Sequence, residues 1–144
     1  MSDVVIRLLG PNDAMVLDRV APDVFDQPIS ARLTAEFLSD PRHHLAVALV
    51  DGEVVGMASA VHYVNPDKRP QLFISEIGVT AEHRGRGIAR ALLDELVRVG
   101  TELGCTEAWV LTDSANVVAQ RLYESAGAVR PPERCIMYTI PIAH

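Results

Sequence analysis

Apolar residues in the first half of the chain recur at two different spacings. Runs bounded by turn residues predict four strands, at residues 4–8, 45–50, 53–64 and 71–79. Asp51-Gly52 is a strong two-residue hairpin turn between the second run and the third. The last of the four runs is mostly apolar on both faces, which is typical of a strand at the centre of a sheet.

Helical spacing predicts two helices between the first strand and the second. The first is capped by Asn12 or Asp13 and reaches about Phe25, and Pro22 either ends it early or starts a second turn. The second follows Ser30 and covers residues 31–39 with its apolar side chains on one face.

The second half of the chain alternates helices with strands. Periodic apolar residues predict a long helix ended by Gly104, and a shorter one over residues 117–126 ended by Gly127. Strands are predicted at residues 108–112 and 135–142. The order is roughly β-α-α-β-β-β-α-β-α-β, which predicts a mixed α/β sheet layered by helices in one domain, residues 1–144.

Composition narrows the possible partners. The 144 residues carry a net charge of −6, which disfavours nucleic acid and suits either a cationic small molecule or simple solubility. No apolar run approaches a membrane span, and the N-terminus lacks the pattern of a signal peptide. The two cysteines, Cys105 and Cys135, lie far apart, so we expect neither a zinc site nor a redox motif. The resulting expectation is a cytoplasmic protein without membrane or nucleic-acid partners.

The most distinctive segment joins the fourth strand to the long helix. It reads Arg84-Gly85-Arg86-Gly87-Ile88-Ala89. A helix N-terminus presents unpaired N–H groups and partial positive charge, and glycines let a phosphate come close to them. Two arginines add charge at the same place, so the segment predicts a pyrophosphate-binding loop.

Two common nucleotide motifs fail on residue identity. A dinucleotide fingerprint requires a third glycine where this chain has Arg90, and a P-loop requires Gly-Lys-Ser/Thr. Two interpretations of the loop remain. It binds another kind of pyrophosphate ligand, or it is a glycine-rich turn with two solvated arginines.

The segment resembles the acetyl-CoA loop of the GNAT superfamily of N-acetyltransferases, Arg/Gln-x-x-Gly-x-Gly/Ala. Here that pattern is Arg84-x-x-Gly87-x-Ala89. A second resemblance lies downstream, in Asn116, Ala119, Leu122, Tyr123 and Gly127. The two motifs span residues 75–128, and the N-terminal order of elements fits the same family.

The resemblance implies a largely antiparallel sheet with two splayed central strands and helices on both faces. Acetyl-CoA would lie between the splayed strands, and coenzyme A would be the product. The implied cofactor-binding residues are Ile77, Gly78, Val79, Arg84, Gly85, Arg86, Gly87, Ile88, Ala89, Asn116, Ala119 and Tyr123. The backbone N–H of Ile77 is also the candidate donor to the oxyanion of acyl transfer. Because the family often dimerises, a homodimer is one expected state.

Two residues are the catalytic candidates. Acetyl transfer to an amine requires a base for the ammonium proton and a proton for the departing thiolate. Glu76 lies next to Ile77 and is the candidate base or amine-binding carboxylate. Tyr123, by resemblance, is the candidate acid, and a packed tyrosine is its alternative.

Other polar residues carry weaker signals. Asn116 fits both pantetheine binding and a helix N-cap. Asp113 is either a substrate-binding carboxylate or a cap. His83 is expected at the surface, and the remaining candidates for the acceptor side are His43, His44 and His62. No group of these residues has the spacing of a metal site.

The nature of the acceptor is the least constrained feature. The strand at residues 74–79 and the preceding Tyr63-Val64-x-Pro66 resemble the short aminoglycoside 3-N-acetyltransferases, which confer antibiotic resistance. An acidic pair expected before the tyrosine helix is Asn116-Val117 here, a departure from that subfamily. Another amine, such as a polyamine, an amino acid or a protein N-terminus, and a non-catalytic acetyl-CoA-binding module are the alternatives.

Overall fold

The computed structural model describes residues 3–143 and is built on a five-stranded sheet of order β1-β2-β3-β4-β5. The strands are β1 (Val5–Leu8), β2 (His43–Val50), β3 (Glu53–Tyr63), β4 (Gln71–Val79) and β5 (Ala108–Val110). The first four are antiparallel neighbours, and β5 lies parallel to β4. The sheet is therefore mixed and largely antiparallel, as predicted.

Helices cover both faces of this sheet. They are α1 (Ala31–Ser39), α2 (Ile88–Glu102) and α3 (Val117–Ser125). The α2 face carries Gly56, since a Cβ built on that glycine would meet Ile88 and Leu92 of α2 at 3.1 and 3.3 Å. Phe37 of α1 stacks on His43, which the pairing register places on the opposite face. No helix between residues 3 and 143 is long and apolar enough to cross a membrane.

The two central strands separate along part of their length. Pairing of β4 with β5 ends at Ile74 and Val110. The β3–β4 register shifts at the same level, because Ser59 pairs with Glu76 and Ala60 with Ile74, which leaves Ser75 as an extra, bulged residue. Beyond the bulge, β4 pairs only with β3 in the described chain. This gap is the splayed arrangement that the family resemblance implied.

The first predicted helix is replaced by a short 3₁₀ turn at Ala14–Asp18. Asp13 does not cap it, because its carboxylate accepts hydrogen bonds from the Gly10 N–H and from the Arg7 guanidinium, at 2.7 and 2.5 Å. The chain then runs beside the sheet, where the Ala21 N–H donates to the Val54 carbonyl at 2.9 Å. The prediction of a helix to Phe25 was therefore wrong.

The predicted strand at residues 135–142 is absent from the structure. Its apolar side chains are exposed, with Ile136 at 74% and Ile140 at 84%. Alternation of residue types gives a strand only where a partner strand supplies hydrogen bonds, and β5, the strand at this edge of the sheet, is only three residues long. Pro131-Pro132 before the segment and Pro141 within it remove three further donors.

Candidate active site

A cavity of about 970 Å³ opens where β4 leaves β5. It is bounded by the loop at residues 23–26, the second half of β4, the start of α2 and one face of α3. The predicted site residues that line it are Glu76, Ile77, Gly78, Val79, Arg84, Gly85, Gly87, Ile88, Ala89, Asn116, Ala119 and Tyr123. Arg86 and Asp113 do not line it. One surface thus collects residues from two motifs that begin 32 positions apart, at Arg84 and Asn116.

The glycine loop leaves open space in front of the first turn of α2. Gly85 and Gly87 both have φ of 77°, a left-handed conformation that favours glycine. A Cβ on either residue would meet no atom within 4 Å, so the space beside the backbone is empty rather than packed. Gly87 directly precedes α2, whose first N–H groups lack helical partners. The loop therefore leaves room for an anion such as a pyrophosphate beside these N–H groups.

The two arginines of the loop lie in different surroundings. The Nε of Arg84 donates to the Val79 carbonyl at 3.1 Å, which ties the loop to the end of β4. Arg86 is exposed and lies outside the cavity lining. Arg84 therefore shapes the loop besides adding charge, while Arg86 contributes positive charge from further out.

The backbone of β4 presents hydrogen-bonding groups to the gap. The Thr80 N–H donates to Val55 of β3 at 2.9 Å. Because N–H directions alternate along an antiparallel strand, Gly78 also faces β3, whereas Ile77 and Val79 face away from it. The N–H groups of Ile77 and Val79 therefore point into the cavity, where an extended pantetheine chain or a developing oxyanion would find donors.

Glu76 projects from the face of β4 opposite α2. Its paired residue Ser59 lies two positions from Met57, the partner of Gly78, so Glu76 and Gly78 share that face. Asp23 and Asp26 line the same cavity. Partial burial and the negative charge of Asp26 raise the pKa of the Glu76 carboxyl above its ordinary value. A carboxylate with a raised pKa is a stronger base at neutral pH.

Asp23 and Asp26 are site residues that the sequence analysis missed. They reach the cavity because the segment before them is bonded to β3 at Val54, 31 positions after Asp23. Asp23 has φ of 66°, uncommon for a residue other than glycine. The one sequence signal was Gly78, since a glycine inside a strand often marks the close approach of another backbone.

Tyr123 reaches the cavity from α3, whose first turn is capped by Asn116. The Asn116 side-chain oxygen accepts from the Ala119 N–H at 3.0 Å, so the N-cap alternative is confirmed. Burial raises the pKa of the Tyr123 phenol, which keeps it protonated at neutral pH. No hydrogen bond within residues 3–143 engages its hydroxyl. The phenol is therefore available to a ligand.

Arg90 connects α3 to the rest of the site. Its Nη1 donates to the Ser125 carbonyl at 2.7 Å, and its Nε pairs with Asp94 at 2.9 Å. Within the described residues it makes the only hydrogen bonds from α2 or the sheet to α3. Arg90, which distinguishes this loop from a dinucleotide fingerprint, thus holds the helix that carries Tyr123.

The remaining candidates lie apart from one another. His83 lines the cavity near the loop, and the lining includes none of His43, His44 and His62. His44 and His62 instead form a pair, with Nε2 and Nδ1 at 2.8 Å, on the α2 face of the sheet. The Asp113 carbonyl accepts from the Asn116 N–H at 3.0 Å, so its backbone shapes the turn before α3.

Comparison with known proteins identifies relatives over most of the chain. The model of the acetyltransferase (GNAT) family matches residues 13–128. The aminoglycoside N(6′)-acetyltransferase type 1 of Salmonella typhimurium is 36% identical over 101 residues, which cover 66% of this chain and 69% of that protein.

Solved structures share the fold over nearly the whole chain. AAC(6′)-Iy in complex with a bisubstrate analogue, CoA-S-monomethyl-acetylneamine, has a TM-score of 0.75 at 28% identity and covers 98% of this chain and 100% of that one. The ribosomal-protein-alanine N-acetyltransferase of Brucella melitensis has a TM-score of 0.71 at 25% identity, covering 95% and 100%. This chain belongs to the acetyltransferase (GNAT) family and is an acetyl-CoA-dependent N-acetyltransferase.

Proposed function

We propose that the enzyme acetylates a primary amine of an aminoglycoside, a small polycationic sugar. The observation that supports this most is the convergence of Glu76, Asp23 and Asp26 on one cavity. Three carboxylates favour an acceptor with several ammonium groups, because each added positive charge finds a partner. The net charge of −6 attracts the same class of molecule at longer range.

Glu76 is the proposed base in this reaction. The acceptor reaches the enzyme as an ammonium ion, which must lose a proton before its nitrogen can attack. Glu76 accepts that proton, directly or through one water, and its raised pKa brings its basicity closer to neutral pH. Asp23 and Asp26 hold the other ammonium groups of the sugar.

The loop, β4 and α3 position the second substrate. Acetyl-CoA supplies an activated acetyl group as a thioester. The start of α2 holds its pyrophosphate, and the Ile77 N–H donates to the carbonyl oxygen as negative charge develops there. As the carbon–sulfur bond breaks, Tyr123 gives its phenolic proton to the departing sulfur. The attacking nitrogen then loses its second proton to solvent, and solvent returns a proton to Tyr123. Asn116, with its amide nitrogen directed away from its capping contact, binds the pantetheine amides.

The proposed position of the acetylated amine is supported by the names of the relatives rather than by the cavity. The sequence resemblance pointed to the 3-amine, whereas the names of the Salmonella protein and of AAC(6′)-Iy specify the 6′-amine. We therefore place transfer at the 6′-amine as the first position to test. Nuclear magnetic resonance of the acetylated product locates the new amide and separates the two positions.

Release of free thiol from acetyl-CoA tests the acceptor class. The panel contains neamine, a polyamine, and a peptide with an N-terminal alanine, the last chosen because of the Brucella relative. We expect turnover with neamine at a kcat/KM at least tenfold above that with the other two amines. Turnover of the peptide alone would overturn the proposal in favour of protein N-terminal acetylation.

A matched pair of variants connects the result to the carboxylates. Asp26→Asn removes a cavity charge at nearly constant shape, and Asp67→Asn removes one from an exposed loop residue that lies outside the cavity. We expect a higher KM for neamine in the first variant and no change in the second.

Tight acetyl-CoA binding without thiol release from any amine of the panel would instead indicate a non-catalytic acetyl-CoA-binding module.

A further inference from the structure

The face of the sheet that carries Glu76 continues into an exposed aromatic surface. Phe73 of β4 and Trp109 of β5 are directly paired across the parallel strands, and their ring centroids lie 4.4 Å apart. Phe73 pairs on its other side with Val61, two positions from the Ser59 that pairs with Glu76. The aromatic pair and Glu76 therefore project from the same face.

A chain of hydrogen bonds fixes the indole ring of Trp109. Its Nε1 donates to the Tyr63 hydroxyl at 2.8 Å, and that hydroxyl donates to the Gln71 Oε1 at 2.7 Å. The Gln71 Nε2 then donates to the Glu107 carboxylate at 2.7 Å. Trp109 is nevertheless 39% exposed. A large aromatic ring is thus held in one orientation at the surface.

Polar groups fill the distance between the aromatic pair and Glu76. Glu76 lies three positions after Phe73, which corresponds to roughly 10 Å along a strand, less the shortening at the bulge. Ser75 and Ser59 are hydrogen-bonded to each other at 2.8 Å within this interval. The surface therefore runs from a carboxylate, past hydroxyl groups, to an oriented indole with a second carboxylate, Glu107, beside it.

We propose that Phe73 and Trp109 bind a second amino-sugar ring of the acceptor while its reactive amine lies at Glu76. An indole face attracts ammonium groups more strongly than other aromatic rings do, and the C–H face of a sugar packs on the same surface. Glu107 adds an ion pair with an ammonium group of that ring. This inference rests on the proposed function, because it assigns a longer cationic saccharide to the same site.

Trp109 is the only tryptophan of the chain, which gives a direct test. Quenching of its fluorescence by acrylamide is measured with coenzyme A present, with either sisomicin or glucosamine added. Sisomicin, which has several linked rings, is expected to shield Trp109 saturably, with a midpoint near its KM. Glucosamine, which has one ring, occupies the Glu76 end and leaves the quenching unchanged. Unshielded fluorescence in an enzyme that acetylates sisomicin would overturn the inference.

Kinetics of two variants provide the second readout. Trp109→Leu is expected to raise KM for sisomicin about 2- to 10-fold with kcat and acetyl-CoA affinity unchanged. Tyr63→Phe keeps every aromatic ring but removes the hydroxyl that accepts a hydrogen bond from the Trp109 indole. It should therefore raise the same KM by a smaller factor. An equal fall in kcat for all amines would instead mean a structural role and would contradict the inference.

Failure of the proposed function gives a different pattern of results. If sisomicin shields Trp109 but no sugar is acetylated, the aromatic surface stands and catalysis on aminoglycosides is refuted. If sisomicin neither shields Trp109 nor is acetylated, both proposals are refuted.

Discussion

The carbonyl oxygen of Val24 occupies the space where Gly78 would carry a side chain. A Cβ built on Gly78 would come within 2.4 Å of that oxygen. Val24 is only 3% exposed, so the contact is part of the packed interior. Its neighbours Asp23 and Asp26 are thereby held over the strand that carries Glu76. A glycine in the central strand therefore fixes where the loop that carries Asp23 and Asp26 meets the cavity.

Gly78→Ala tests this contact. The added methyl group cannot be accommodated without movement of the Val24 backbone, so we expect a loss of about 1–3 kcal/mol in the free energy of unfolding. We also expect a higher KM for the amine, since Asp23 and Asp26 move with the loop. Chemical denaturation and steady-state kinetics measure the two effects.

Gly10→Ala is the matched control for that substitution. The nearest atom to its Cβ is a carboxylate oxygen of Asp13 at 3.5 Å, an ordinary contact. We expect its stability and KM to stay close to those of the wild type. Equal stability of Gly78→Ala and Gly10→Ala would show that the Val24 backbone moves away from the added methyl group with little loss in the free energy of unfolding.

Gly87→Asp tests the pyrophosphate loop. The substitution places a non-glycine residue at a φ of 77° and a negative charge in the space assigned to the phosphates. We expect acetyl-CoA binding to be lost, as measured by isothermal titration calorimetry.

Gly104→Asp separates that loss from backbone strain. Gly104 has the same φ of 77° but follows the opposite end of α2. Both variants should lose stability, and only Gly87→Asp should lose acetyl-CoA affinity. Unchanged acetyl-CoA affinity in Gly87→Asp would contradict the proposal that this loop binds the pyrophosphate.

The geometry of the glycine loop and that of the sheet were predictable because their signals are local in sequence. The loop is a contiguous run that begins where β4 ends, and Gly87 precedes α2 as expected. The hairpin turn is likewise confirmed, since Asp51 and Gly52 both have positive φ. Contiguous turn and helix chemistry is decided by a few neighbouring residues.

The acidic loop and the C-terminal segment were not predictable in this way. Asp23 reaches the cavity only through a backbone bridge to Val54, a contact that no local pattern encodes. The segment at residues 135–142 shows the opposite case, because its alternation suggested a strand and no partner strand is present in the described chain. Long-range pairing decides both outcomes, and residue spacing alone does not report it.

Tyr123→Phe tests the proposed proton donor. The phenylalanine keeps the packing of the ring in α3 and removes only the hydroxyl, so acetyl-CoA affinity should stay within about twofold. We expect kcat to fall about 100-fold, which is the lower end of the range for a general acid. Leu122→Val, a small change at the adjacent position, is the control for packing. Full activity of Tyr123→Phe across the pH range would exclude the role.

The His44–His62 pair predicts a loss of stability in mild acid. Burial, followed by the charges of His62 and His43, lowers the pKa of His44 to about 4 from 6.5. As the pH falls, His44 therefore binds a proton in the unfolded chain before it does so in the folded protein. The contribution of neutral His44 is complete above pH 6.5 and is lost as the pH falls toward 4.

Thermal unfolding at a series of pH values measures this contribution. In His44→Gln the fall in melting temperature between neutral and acidic pH should be smaller than in the wild type. His83→Gln, a histidine outside the pair, serves as the control. Parallel pH profiles for wild type and His44→Gln would show that the pair does not govern acid stability.

The pH dependence of kcat/KM for neamine, compared among wild type, Glu76→Gln and Asp26→Asn, tests the central claim most directly. The wild-type rate should fall on the acid side with the pKa of Glu76, which lies above its usual value. Asp26→Asn should move that fall to lower pH, because it removes a charge that raises the pKa. Glu76→Gln should lower the rate about 100-fold or more and abolish the acid limb. An unchanged rate and acid limb in Glu76→Gln would contradict the account.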